Sequence, residues 1–244
     1  MMSTELPSIL RPRPRRRLVL WGVLVGLLVV AQTALVKLTV EYETARAQDR
    51  VERAAAEAGG EIRQSLSRDL QSLQALLWNE PSLPQWRADA ADLLRARREL
   101  VRIERRALDF SLTMGVDSPY RNPLFTVIPR DELRVDAEVA CANARRLAGP
   151  AYSRSYFVPL PGGLGLEVMD VCVPVTERAQ PVGFMVATYA LHSILVEAVA
   201  AETAKGHELA FVEGDGTRLA RAGSVPRGQG VFVAQRLIDL PGAT

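Results

Sequence analysis

One uninterrupted apolar run constrains the fold of this chain more than any other feature. Residues 18–36 read LVLWGVLVGLLVVAQTALV, and only Gln32 and Thr33 in that run are polar. Nineteen helical residues span roughly 28 Å, which matches the hydrocarbon thickness of a bilayer. A helix in a soluble core would carry a polar face, and this run has none. The sequence therefore predicts a transmembrane helix at residues 18–36.

A cluster of arginines directly before this run predicts its orientation. The cluster comprises Arg11, Arg13, Arg15, Arg16 and Arg17. Basic residues beside a membrane helix stay on the cytoplasmic side. We therefore expect residues 1–17 to form a short cytoplasmic tail, and the chain after residue 37 to be exported.

A cleaved signal peptide is the alternative interpretation of the same run. The tripeptide Ala45-Arg46-Ala47 has the small residues of a cleavage site. However, the run is longer than the apolar segment of about 7–15 residues that such peptides carry, and the candidate site lies well beyond its end. An uncleaved anchor is therefore favoured.

The composition excludes several classes of protein. The 244 residues are 48% hydrophobic and 24% charged, which is ordinary for a globular chain and excludes a fibre or wholesale disorder. A net charge of +2 gives no reason to expect nucleic acid as a partner.

Residues 37–105 are predicted to form long helices, a stalk followed by a packing helix. Apolar residues recur at steps of three or four from Val40 to Leu77, which makes one stripe along a charged helix. Pro84 suits the start of a second helix, which we expect to continue to about Arg105. The stripe favours a homodimer through this helix or packing on the chain's own domain, and its spacing is compatible with both.

The pattern of β-structure begins after these helices. Residues 108–114 alternate between apolar and polar, as in a half-buried strand, and a helix is expected from near Asp131. Three β-rich runs follow, at Tyr152–Pro159, Leu164–Pro174 and Val182–Leu191. Because the links between them are short, we expect an antiparallel meander.

A helix over Leu191–Ala204 is predicted to complete the domain at residues 106–204. The pair Asp215-Gly216 between two short β-rich runs then indicates a hairpin. This hairpin would open a further unit at residues 205–244, which is incomplete where the chain stops.

This order of elements resembles the extracytoplasmic PAS-like sensor domains of the PDC or Cache type, found in bacterial membrane receptors. It is most similar to the tandem form in sensor histidine kinases such as the C4-dicarboxylate sensors. The residues that carry the resemblance are Tyr152–Tyr156, Glu167–Pro174, Gly183–Tyr189 and Phe211–Gly216.

The resemblance implies an α+β chain with a transmembrane helix, a long helical stalk, a PAS-like antiparallel sheet with flanking helices, and the start of a second PAS-like unit. It also implies a two-component receptor in the bacterial inner membrane that binds a small molecule in the periplasm. The sequence contains no second span and no kinase core, and neither His192 nor His207 has the setting of a phosphoacceptor. We therefore interpret the chain as the sensor portion of a receptor whose output is a kinase, a cyclase or a chemoreceptor module. A single-pass envelope scaffold protein is the alternative.

The candidate ligand site lies on the meander. We expect Tyr152, Arg154 and Tyr156 to share one strand face, with Asp170 and Thr188 adding polar groups from neighbouring strands. Tyr120 and Arg121 are weaker candidates for the rim of the site. An arginine between two tyrosines suits a carboxylate or amino-acid ligand, although an exposed sheet face on which the arginine covers aromatic rings has the same pattern.

The two cysteines, Cys141 and Cys172, would meet an oxidising periplasm. They are either one disulfide, closing a loop of about 30 residues, or two buried thiols. Cysteine and histidine residues lack the spacing of a zinc site, and Cys172 in mid-strand lacks the setting of a nucleophile. The sequence predicts no catalytic residue, no metal and no cofactor.

Overall fold

The computed structural model of the protein describes residues 14–78, 81–178, 180–224 and 231–242. Arg11 and Arg13 of the predicted cytoplasmic tail lie outside these residues. The chain divides into two compact units, Met1–Val51 and Glu52–Thr244.

Helix α1, Pro14–Ala75, contains the predicted membrane segment. Its large apolar side chains between Leu18 and Val36 are all more than half exposed. Such exposure is costly in water and favourable in hydrocarbon. By length and composition, α1 qualifies as a membrane-spanning helix. The predicted apolar helix is therefore present.

The Glu52–Thr244 unit combines the second part of α1 with helices and antiparallel strands. The helices after α1 are α2 Leu83–Ala96, a 3-10 turn at Arg130–Leu133, α3 Val135–Leu147, α4 Leu191–Glu197 and α5 Ala201–Ala204. The strands are β1 Leu100–Ala107, β2 Leu112–Asp117, β3 Ala151–Leu160, β4 Leu164–Glu177, β5 Gln180–Ala190, β6 Glu208–Val212 and β7 Arg218–Gly223. This content confirms the predicted α+β class.

Five strands form one antiparallel sheet in the order β2-β1-β5-β4-β3. Strands β3, β4 and β5 are the predicted meander. The prediction of a helix to about Arg105 is wrong, because α2 ends at Ala96 and residues 100–107 form β1. Leu, Arg and Glu favour helices locally, but the free edge of β5 gives this segment a full set of strand partners.

The sheet has a helix-side face, which packs against α1 and α2. Ile62, Leu66 and Leu73 of α1 and Trp86 and Leu94 of α2 are buried there, the last three without any exposed surface. The opposite face, which we call the loop-side face, carries α3 and the residues between β2 and α3. The sheet is thus covered on both sides.

The short sheet of β6 and β7 corresponds to the predicted hairpin. Leu209, Phe211 and Leu219 from it pack against the helix-side core. The predicted helix over Leu191–Ala204 is interrupted, since α4 ends at Glu197 and α5 starts at Ala201.

Gly183 permits the close approach of β1 and β5, and its replacement by alanine is expected to lower stability. A Cβ atom there would lie 2.3 Å from the carbonyl oxygen of Arg106, a backbone atom that cannot rotate away. We expect Gly183→Ala to cost about 1–3 kcal/mol, as overpacking typically does. Thermal unfolding measures the loss. Gly214→Ala is the matched control, because a Cβ at Gly214 meets nothing within 4 Å.

Candidate functional site

A β-bulge in β3 decides which of its side chains share a face. Tyr152 is paired with Val171 and Tyr156 with Val168, so four steps along β3 match only three along β4. Because side chains alternate between faces along a strand, this mismatch puts the two tyrosines on opposite faces. The prediction that Tyr152, Arg154 and Tyr156 share one face is therefore wrong. Tyr152 packs in the helix-side core.

Tyr156 instead joins a network of buried charges on the loop-side face. Asp170 of β4 is fully buried and accepts three side-chain hydrogen bonds. The donors are Nη2 of Arg130 at 2.8 Å, the hydroxyl of Tyr156 at 2.9 Å and the hydroxyl of Thr188 at 2.6 Å. The sequence prediction thus brought together Tyr156, Asp170 and Thr188, but omitted Arg130, which links them to the rest of the network.

Glu104 of β1 is the second acidic residue of this network. Its carboxylate accepts a hydrogen bond at 2.9 Å from Nε of Arg106, and lies 3.4 Å from Nε of Arg130. Arg102 also donates to it, and uses its Nη1 to bond both carboxylate oxygens of Asp117 at 2.7 Å. Three arginines thus face the fully buried carboxylates of Glu104 and Asp170 and the partly exposed carboxylate of Asp117.

The pKa of Glu104 reports how these charges act on each other. Burial acts to raise this pKa, but Arg130, Arg106 and Arg102 together outweigh burial and hold it below the ordinary value of 4.5. The ionised Glu104 carboxylate therefore contributes its full share of stability above about pH 4.5. This contribution is lost as the pH falls through the lower pKa of Glu104 in the folded state.

A cavity of about 240 Å³ adjoins the network. It is lined by Asp136, Val139, Tyr152, Ser153, Arg154 and Gly242. Ser153 connects the cavity to the network, because its hydroxyl accepts a hydrogen bond from the backbone N–H of Asp170 at 2.8 Å. Burial, and next the charge of Asp170, raise the pKa of Asp136. Tyr152 and Arg154 from the predicted site therefore line this cavity together.

The structure places Tyr120 and Arg121 elsewhere. The Tyr120 hydroxyl donates to the carbonyl of Arg95 at 3.0 Å, and the guanidinium of Arg98 covers its ring at 4.9 Å. Arg121 donates to the hydroxyl of Ser193 in α4. Neither residue lines the cavity or contacts the network.

Sequence reasoning missed Glu104, Arg106 and Arg130. In a chain with 30 basic and 28 acidic residues, one more arginine or glutamate carries no signal of its own. The alternation of Arg102, Glu104 and Arg106 at every second position is the pattern that marks one face of a strand. It would have shown the site only if β1 had been predicted as a strand.

The two cysteines form a disulfide that ties α3 to β4. The Cα atoms of Cys141 and Cys172 are 5.1 Å apart, and both side chains are buried. Cys172 lies two residues after Asp170, so the crosslink fixes β4 beside the network. Among the described residues, no group of histidine, cysteine and acidic side chains is arranged to hold a metal ion.

Several solved structures have a fold similar to that of this chain. The sensory domain of the Campylobacter jejuni chemoreceptor Tlp3 with isoleucine bound matches at a TM-score of 0.50 and 11% identity, covering 75% of this chain and 73% of that one. The chain has a PDC or Cache-type fold. The ligand-binding domain of Tlp3 with L-norvaline gives a TM-score of 0.50 at 9% identity, covering 72% of this chain and 70% of that one.

The PDC or Cache-type fold agrees with the family that the sequence resembles. A further match is the ligand-binding domain of the Pseudomonas fluorescens chemoreceptor CtaA with L-serine, at a TM-score of 0.48 and 12% identity, covering 72% of this chain and 73% of that one. No family model and no curated protein matches the sequence. The likeness is therefore one of fold, and a shared fold does not by itself determine the chemistry of the site.

Proposed function

We propose that this chain is the membrane-anchored extracytoplasmic sensor region of a transmembrane signalling receptor. The observation that carries the proposal is a PDC or Cache-type fold in the same chain as an exposed apolar helix long enough to cross a bilayer. Such a receptor lies in the inner membrane with residues 1–17 in the cytoplasm and the chain after residue 37 in the periplasm, as the arginine cluster predicts.

The cavity beside the network is the proposed ligand site, and its charges favour a small amino acid. Arg154 and Asp136 bring one positive and one negative group to its walls. A guanidinium binds a carboxylate in a fixed geometry, and a carboxylate accepts hydrogen bonds from an ammonium group. A volume of about 240 Å³ lies below the range of roughly 300–1,000 Å³ for drug-sized ligands and suits a small metabolite.

The C-terminal segment, residues 231–242, offers a route from this cavity to α1. Gly242 lines the cavity, and the carbonyl of Pro241 accepts a hydrogen bond from the backbone N–H of Tyr152 at 2.8 Å. In the middle of the same segment, Nη2 of Arg236 lies 3.9 Å from the carboxylate of Glu52 on α1. A ligand that binds one conformation of this segment more tightly than another shifts the equilibrium between the two conformations of the receptor. The size of the shift is set by the difference between the two affinities.

The output of the receptor is proposed from the sequence resemblance. A sensor histidine kinase dimerised through α1 agrees with the apolar stripe of that helix and with the family that the sequence resembles. No catalytic residue is assigned within this chain, so the kinase chemistry would belong to a separate output module.

Thermal unfolding of the full chain in detergent, with a panel of L-amino acids and C4-dicarboxylates, tests the proposed function. A ligand at 100 times its Kd adds about 2.7 kcal/mol of stability, which raises Tm by roughly 5–10 °C in a protein of this size. We expect at least one amino acid to give such a rise. Arg154→Ala and Asp136→Ala are expected to abolish it, because each removes one charged wall of the cavity.

Arg134→Ala is the matched control for the ligand experiment. Arg134 is half exposed, pairs with Glu138 on the surface of α3 and does not line the cavity. Its variant should therefore keep the full ligand response. A response that survives Arg154→Ala and Asp136→Ala would remove the cavity from the binding site. The absence of any response across the panel would favour the scaffold function.

A further inference from the structure

The β-bulge in β3 contains a hydrogen-bond bridge that is made by a single side chain. The register shifts between Tyr152 and Ser155. Ser153 and Arg154 therefore both lie opposite Asp170 of β4. The backbone N–H of Asp170 donates to the Ser153 hydroxyl at 2.8 Å, and that hydroxyl donates to the backbone carbonyl of Arg154 at 2.6 Å. The hydroxyl is thus inserted where a regular ladder would join the two strands directly.

This bridge is buried, so its hydrogen bonds are not easily replaced by water. Ser153 is 5% exposed, and Asp170 has no exposed surface. Buried backbone N–H groups are almost always hydrogen-bonded, and a hydroxyl can accept one hydrogen bond while it donates another. An alanine in place of Ser153 can do neither. The bulge in its present form therefore depends on this hydroxyl.

The bridge also fixes the position of Arg154, which lines the cavity together with Ser153. Because the carbonyl of Arg154 is held by the hydroxyl, the backbone at this residue is fixed within the bulge. Side chains alternate between the two faces of a strand, and an extra residue resets that alternation. The direction in which the Arg154 side chain leaves β3 therefore depends on the bulge that Ser153 maintains.

We propose that Ser153 is a positioning residue of the ligand site, which holds the backbone of Arg154 so that its guanidinium meets the carboxylate of an amino acid. A guanidinium forms paired hydrogen bonds with a carboxylate only in a fixed, planar geometry. A small shift of the backbone is therefore enough to weaken them. This inference rests on the proposed function, in which Arg154 is the group that binds the carboxylate.

The buried network supports the bridge from the other side. Asp170 gives its backbone N–H to Ser153, while its carboxylate accepts hydrogen bonds from Arg130 and Tyr156. These bonds fix β4 at the residue from which the bridge starts. Binding groups are held precisely when a second layer of hydrogen bonds fixes the residues that carry them. The network thus acts, through Ser153, as the support of the arginine in the cavity.

Ser153→Ala is expected to weaken amino-acid binding without removing any group that binds the amino acid. The substitution leaves the N–H of Asp170 without its acceptor, so β3 should shift until one of its own carbonyls takes that place. The shift moves Arg154, because this residue lies inside the bulge. We expect the affinity for glycine, L-alanine and L-serine to fall about tenfold, the scale of one hydrogen bond to a charged group.

Calorimetric titration of the full chain in detergent with these three amino acids tests the proposal, at a temperature well below the Tm of every variant. Ser118→Ala is the matched control. Ser118 is also 5% exposed and accepts a hydrogen bond from a backbone N–H, that of Tyr120 at 3.5 Å, but it does not line the cavity. Both substitutions should lower Tm, whereas only Ser153→Ala should raise the Kd. A residue with a merely structural role changes Tm alone.

The outcomes separate this inference from the proposed function. If the wild type binds an amino acid and Ser153→Ala binds it within about twofold, less than one hydrogen bond contributes, the positioning role is wrong. Equal weakening in Ser153→Ala and Ser118→Ala would also overturn it. If the wild type binds none of the three, the proposed cavity fails and the positioning role fails with it.

Hydrogen exchange without any amino acid tests the bridge itself. The amide of Asp170 should exchange faster in Ser153→Ala than in the wild type, because it has lost its acceptor. Ser118→Ala should leave the exchange of this amide unchanged. An exchange rate at Asp170 that is the same in all three chains would overturn the bridge, and with it the inference, whatever the titrations show.

Discussion

Replacing Asp170 by alanine is expected to lower the stability of the folded domain by about 3–5 kcal/mol, the cost of breaking a buried ion pair. The substitution leaves the Arg130 guanidinium buried, with its hydrogen bond to Asp170 lost. It also removes the acceptor for the hydroxyl groups of Tyr156 and Thr188. Thermal unfolding of the full chain in detergent should show a Tm about 10 °C or more below that of the wild type.

Two further variants separate the charge of Asp170 from its place in the hydrogen-bond network. Thr188 and Tyr156 donate to different oxygens of Asp170, so Asp170→Asn keeps an acceptor for only one of them and loses the charge facing Arg130. Its loss of stability should therefore be intermediate between those of the wild type and Asp170→Ala. Glu138→Ala, which removes a half-exposed partner of Arg134, should change the stability by less than about 1 kcal/mol. A Tm for Asp170→Ala within the range of Glu138→Ala would contradict the view that the network holds the loop-side face together.

Reduction of the disulfide is expected to have an effect of similar size. The bond closes a loop with a sequence separation of 31 residues. In the chain-entropy model, such a crosslink stabilises the fold by about 3–4 kcal/mol. The Tm of the wild-type chain should therefore fall by roughly 10 °C when a reductant is present throughout the melt.

A double variant, Cys141→Ala with Cys172→Ala, provides the control for reduction. Both sites are buried and tightly packed, so alanine replaces each side chain with one that is smaller and apolar. The double variant should unfold at a lower temperature than the oxidised wild type, and the reductant should not change its Tm. If the reductant lowers the Tm of both chains equally, its effect does not come from this bond.

The parts of the fold that follow from local pattern were predictable from sequence. The apolar run of α1 and the β-rich runs of the meander each have a period that is visible within one segment. β1 has no such visible period. Its segment, Leu100–Ala107, contains helix-favouring residues and becomes a strand only by pairing with β5 and β2. Long-range pairing thus decided the type of β1, which was predicted wrongly.

The candidate site was predictable only in part, for related reasons. Tyr156, Asp170 and Thr188 lie on adjacent strands of the meander, so correct strands were enough to bring them together. Arg130 comes from a 3-10 turn distant in sequence, and only the tertiary fold places it beside Asp170. The sequence did not decide between a disulfide and two thiols for the same reason, because only the tertiary fold brings the Cα atoms of the two cysteines to 5.1 Å from each other.

The bulge in β3 has a consequence for how relatives of this chain are compared with it. Because the extra residue between Tyr152 and Ser155 reverses the two faces, β3 serves the helix-side core before the bulge and the buried charges after it. A relative whose equivalent strand has no bulge lacks this extra residue. If it is aligned to β3 without a gap, residues that face the core in one chain are matched, on one side of the bulge, with residues that face the opposite way in the other chain. Residues should therefore be matched separately on the two sides of the bulge, by their partners in β4.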